Sequence, residues 1–110
     1  MEIKDLAALM KSQKYPAACH HFKNAVKPPF IVYYEENGQI RGGDAKNCII
    51  EQDFTVELYT DRLSEETETE VMRLLETLGV EYEWSRVWIE SEKLYQTAFS
   101  FHTVEKRRAV

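Results

Sequence analysis

Apolar residues recur along this chain at two spacings, and each spacing predicts an element. Phe54, Val56 and Leu58 alternate with Thr55, Glu57 and Tyr59, the two-residue period of a strand with one buried face, and Thr60-Asp61 closes it. Val71, Leu74, Leu75 and Leu78 then recur at i, i+3, i+4 and i+7, which predicts a helix starting at Leu63 or Ser64. Ser64 suits the cap, and Glu65, Glu66, Glu68 and Glu70 crowd the first turns, where the helix dipole favours negative charge. Gly79 takes the C′ position. Two further strand-like runs follow, Val80 to Ile89 and Leu94 to Val104.

The first half is less regular. Ile3, Leu6, Ala7 and Met10 predict a helix over residues 2 to 13, ended by Pro16, which pushes Tyr15 toward extended geometry. Ala17 to Phe22 reads as a short strand, with Phe22 as a core anchor. Pro28-Pro29 introduces a strand from Phe30 to Tyr34, rich in β-branched and aromatic residues. Glu35-Glu36-Asn37-Gly38 reads as a hairpin signal with a type I′ turn, and Arg41-Gly42-Gly43-Asp44 as a second tip. The strand that starts near Asn47 runs on to Tyr59, leaving residues 37–46 as a protruding loop or ribbon end. The expected fold is therefore α+β, a mainly antiparallel sheet with two helices packed on it in the order α-β-β-α-β-β. Residues 1–104 form its single domain, and 105–110 a basic tail that frays.

Composition narrows the function classes. A formal net charge of −5 weighs against a domain that reads nucleic-acid sequence through a basic face, but not against one that surrounds DNA without gripping it. No apolar run approaches the ~20 residues of a membrane helix. Met1 to Asp5 lacks the basic flank and apolar core of a signal peptide. Cys19 and Cys48, far apart and without metal-type spacing, fit reduced thiols in a cytoplasmic chain.

The candidate chemistry is thin. Cys19-His20-His21 resembles a metal patch, but adjacent residues on a strand point to opposite faces. Neither cysteine sits in a recognised nucleophile signature, and the helix glutamates lack the alternating ligands of a calcium loop. Gly42-Gly43 follows no strand–helix phosphate motif. The residues thus predict no catalytic group, no cofactor and no metal. The aromatic residues say more. Tyr82, Trp84 and Trp88 share one face of a strand, and Tyr33, Tyr34, Tyr59 and Tyr95 add rings that a small core struggles to bury. Phe54, Phe99 and Phe101 read as core. Tyr34, Arg41, Asp44, Trp88 and Tyr95 are the candidate protein-interface residues.

Several runs carry a resemblance: Phe54 to Asp61, the glutamate-rich helix ending Leu74-Leu75-Glu76-Thr77-Leu78-Gly79, Val87 to Gln96, and upstream His20-His21-Phe22 with Pro28 to Tyr34. Together, over roughly residues 15 to 101, they resemble a family of small phage and prophage neck proteins from tailed phages of Gram-positive bacteria. That resemblance implies a tail-terminator or tail-completion component with a lambda-like α+β plan, assembled as a homo-oligomer of the hexameric-ring type. Its implied partners are the tail tube protein and the head-completion connector, with DNA passing through the lumen and no membrane or sequence-specific nucleic acid involved. It places the protein in the virion, and in host cytoplasm during assembly, with no catalytic residues. The contrasting expectation is a monomeric adaptor binding one phage or host protein; a cysteine-dependent hydrolase ranks below both.

Overall fold

The computed structural model describes residues 1–42 and 47–108. Two helices, α1 (Ile3–Lys11) and α2 (Glu65–Glu76), accompany five strands: β1 (Ala17–Cys19), β2 (Phe30–Arg41), β3 (Asn47–Thr60), β4 (Tyr82–Ile89) and β5 (Leu94–Arg108). The strands form one sheet in the order β1-β2-β3-β5-β4. The fold is thus α+β, with two corrections to the expected plan. The Ala17–Cys19 strand joins the sheet, and it runs parallel to β2, so the sheet is mixed. Its parallel seat follows from Pro16, whose carbonyl accepts the Ile31 N–H at 2.8 Å and draws the chain along β2.

The core lies between the sheet and both helices. Leu6 and Met10 from α1 and Val71 and Leu75 from α2 meet Ile31 and Tyr33 of β2, Phe54, Val56 and Leu58 of β3, and Phe99 and Phe101 of β5. The two-residue period puts every one of these strand residues on the same face, because Phe54 pairs with Phe101, Val56 with Phe99 and Ile31 with Leu58. Phe54 and Phe101 stack at 5.5 Å between ring centroids. Residues of the opposite parity, including Tyr34, Glu57, Tyr59, Ser100 and His102, form a second face that no helix of the described residues covers. No helix among those residues is long and apolar enough to cross a membrane.

Four local readings change. Asn37-Gly38 makes no turn: β2 continues through it to Arg41, and the register slips between Glu35 and Gly38, a bulge. β3 is long enough to keep pairing past this step, and the Gln52 side chain donates to the Asn37 carbonyl at 3.0 Å. The expected tip at Gly43 and Asp44 lies outside the described residues. Phe22 is half-buried and outside the main core; it packs edge-on against Phe30 on the uncovered face, 5.6 Å away. β5 extends four residues beyond Val104, because Glu105 to Arg108 pair with Ile50 to Asn47. Finally, Ser64 caps α2 as expected, accepting the Thr67 N–H at 3.3 Å, but Gly79 (φ 69°) sits two residues past the C-cap Thr77. The chain first tightens through i→i+3 bonds from Leu78 and Gly79.

Among the described residues the buried charged side chain is Glu68, only 4% exposed. Its carboxylate accepts from Arg86 Nε at 2.7 Å and Nη2 at 2.5 Å, and from Thr97 Oγ1 at 2.5 Å. A two-pronged guanidinium contact of this kind offsets the cost of taking the carboxylate out of water. It holds the carboxyl below its ordinary value of 4.5, burial opposing.

Glu68 therefore contributes stability that is present at neutral pH and is lost as pH falls below 4.5 through its lowered folded value. Urea unfolding at pH 7 and pH 3 should show a smaller pH-dependent loss for Glu68→Gln than for the parent. Arg86→Ala strands a buried charge and should cost about 3 kcal/mol at pH 7. Phe54→Ala, a pure cavity change, should cost about 3–5 kcal/mol at either pH.

Candidate functional site

Two surfaces remain once the core is accounted for: the uncovered sheet face and the outer edge of β4. On the uncovered face the two-residue period of β2, β3 and β5 brings Tyr34, Glu57, Tyr59 and Gln96 together. Glu57 accepts from Tyr34 Oη at 2.8 Å and Tyr59 Oη at 2.9 Å, and Gln96 donates to Tyr59 Oη at 2.8 Å. Burial, then the Glu57 carboxylate, raise the Tyr34 phenol well above its usual value, so it stays a donor. Beside this row, Phe30 stacks on Tyr59 at 4.9 Å and His20 on Tyr34 at 5.9 Å. His20, Phe30 and Tyr59 line a cleft of ≈ 480 Å³, together with Phe22, Glu57 and Leu94.

Further along the same face, Asp53, Ser100 and His102 have the residue types of a hydrolase triad. The geometry uses them otherwise. His102 Nδ1 lies 2.7 Å from Asp53, but its Nε2 faces Glu51 at 3.6 Å, while Ser100 Oγ lies 3.3 Å from Thr55 Oγ1. A general base needs its second nitrogen on the nucleophile; here that nitrogen meets a second carboxylate. The imidazole ring lies between two acids, and the Asp53 hydrogen bond raises the His102 pKa from its usual 6.5. Arg41 Nη2 reaches the same Glu51 at 2.8 Å. Alongside, Glu36, Asp53, Glu81 and Glu83 line an acidic groove of ≈ 510 Å³.

β4 is a sheet edge, and most of its side chains are exposed. Trp84 is 48% exposed, Val87 52% and Trp88 40%. The Glu68 contact fixes Arg86 between the two indoles, with its guanidinium 5.3 Å from the Trp84 ring. Trp88 packs on Tyr95 at 4.8 Å and donates from Nε1 to Glu90 at 2.6 Å.

Of the five predicted interface residues, Trp88 and Tyr95 are brought together as cross-strand partners. Tyr34 and Arg41 lie apart from them on β2, the first half-buried in the Glu57 network and the second exposed on the extended end. Asp44 lies outside the described residues. Cys19 on β1 and Cys48 on β3 are not joined in a disulfide, and the fold does not bring them together. No group of three or more His, Cys, Asp or Glu side chains among the described residues could hold a metal. Sequence reasoning passed over Ile40, 72% exposed, and the Glu57 and His102 networks. A lone apolar residue between Gln39 and Arg41 was the available signal for Ile40; the networks depend on cross-strand register, which a linear pattern does not carry. Compared with known proteins, the chain matches no family model and no curated sequence.

NMR titration of the His102 ring should give a pKa above 6.5, and Asp53→Asn should lower it toward that value. The raised value means this pair stabilises the fold below about pH 6.5 and loses its contribution as pH rises through the folded pKa.

Proposed function

We propose that the protein is a structural component of the neck of a long-tailed phage or prophage, a tail terminator or tail-completion subunit acting as a homo-oligomeric ring. Two lines support this reading. The first is the resemblance of Phe54 to Asp61, Leu74 to Gly79 and Val87 to Gln96 to small phage neck proteins. The second, which carries it, is the β4 edge. There Trp84 and Trp88 flank an immobilised Arg86 on an unprotected strand, the residue types that dominate protein–protein contact energy. In this reading the ring caps the tail tube and meets the head connector. The carboxylates of the acidic groove favour a lumen that repels DNA phosphates rather than binding them.

Trp84→Ala combined with Trp88→Ala tests the reading. Both side chains are less than half exposed but lie outside the buried core, so the thermal midpoint should move by only a few degrees. Co-sedimentation with tail tubes should nevertheless fall by about tenfold or more, as for loss of an interface hot spot. A phage lacking the protein should make tails of uncontrolled length, visible by negative stain. Normal tails in its absence, or recovery of the chain only with a soluble non-virion protein, would overturn the reading in favour of a monomeric adaptor.

A further inference from the structure

The sheet ends in two edges that no strand among the described residues covers. One is β4, Tyr82–Ile89. The other is the outer side of β2 beyond Tyr33, because β1 pairs only with Ile31, Val32 and Tyr33. Strand direction alternates from β2 to β3, β5 and β4, so β4 runs opposite to β2. A second copy set beside β4 in the same orientation therefore offers its β2 edge as an antiparallel partner.

We infer that β4 of one copy pairs with the outer edge of β2 in the next, with Trp84 opposite Ile40. Facing fixes the choices. Ile40 pairs with Ile50, on the helix-covered face, and Trp84 pairs with Phe99 on that same face. Only registers that keep these faces together preserve one continuous sheet. With Ile40 opposite Trp84, two exposed large apolar side chains cover each other, Arg41 falls opposite Glu83 and Gln39 opposite Ser85. Shifting by four residues to place Ile40 on Trp88 would instead set Arg41 against Val87 and Gln39 against Ile89. In this register β4 runs from opposite Gly42 to opposite Glu35 of the next copy, whose β1 pairs with Ile31 to Tyr33 beyond that end. Arg41 already holds Glu51 at 2.8 Å and has donors left for a second carboxylate.

The contact is heterologous, edge to a different edge, and it rests on the proposed ring reading for its closure about an axis. Along β5, the level of Ile40 is Glu105 and that of Trp84 is Phe99, six residues apart. That stagger is roughly 20 Å across four strand columns of about 19 Å, a tilt of about 45°, within the range at which sheets close on themselves.

Two full-length chains test this, one carrying Gln39→Cys and the other Ser85→Cys, both with Cys19→Ser and Cys48→Ser. Mixed and oxidised, they should form a 39-to-85 cross-linked dimer that neither forms alone. In ultracentrifugation Arg41→Glu and Glu83→Arg should each weaken self-association about tenfold or more, and together restore it to within about threefold. Loss of only the internal Arg41–Glu51 pair would not be rescued by Glu83→Arg. Cross-links mainly at 85-to-85, failure of the charge swap, or a chain that stays monomeric without cross-linking would each overturn the inference. Oligomers that cap tail tubes without the 39-to-85 link would refute this interface and leave the neck reading standing. The link formed by a chain that ignores tail tubes would do the reverse.

Discussion

The contact between Glu68 and Arg86 governs what this protein can present to a partner. Among the described residues β4 is bound on one side only, by β5, and an edge strand so held is free to twist or fray. Glu68 anchors it from α2 through two short charged hydrogen bonds and adds a third from Thr97 of β5. Because Arg86 is drawn inward, its neighbours of the same parity, Trp84 and Trp88, stand on either side as a fixed pair. The interaction contributes to stability only as a unit; its structural consequence is the orientation of an aromatic edge.

The two sheet faces divide the work. One is dry, with eleven core residues among those described, from both helices and three strands, meeting there, and it supplies the hydrophobic stabilisation. The other is organised by hydrogen bonds: two tyrosines on one glutamate, then a histidine between two carboxylates, one of which, Glu51, also engages Arg41. The Asp53–His102–Ser100 combination shows how register decides chemistry. The same three residue types would make a nucleophile system if the imidazole turned its second nitrogen to serine, and the Glu51 carboxylate turns it the other way.

The principal axes measure 50 × 27 × 25 Å, long for a chain of this size, because β2, β3 and β5 run on past the helices. That extension is where the linear reading failed most. Asn37-Gly38 carries the composition of a hairpin turn, yet β3 continues to offer pairing partners, and a bulge absorbs the step. The same pairing orders Glu105 to Arg108, which composition alone assigns to a fraying tail. In both places tertiary hydrogen bonding overrides a local preference worth little energy.

Periodicity alone determined the strand at Phe54 to Leu58, the α2 stripe, the Ser64 cap and the core role of Phe54, Phe99 and Phe101, because each depends on residues within one element. It marked Trp88 and Tyr95 as surface candidates through the excess of large rings. The parallel seat of β1, the bulge, the Glu68–Arg86 anchor, the Glu57 and His102 networks and the two open edges were decided by the tertiary structure. All of these join residues of different elements, and their partners are set by pairing register and strand order, quantities that hydrophobic spacing along a chain does not encode.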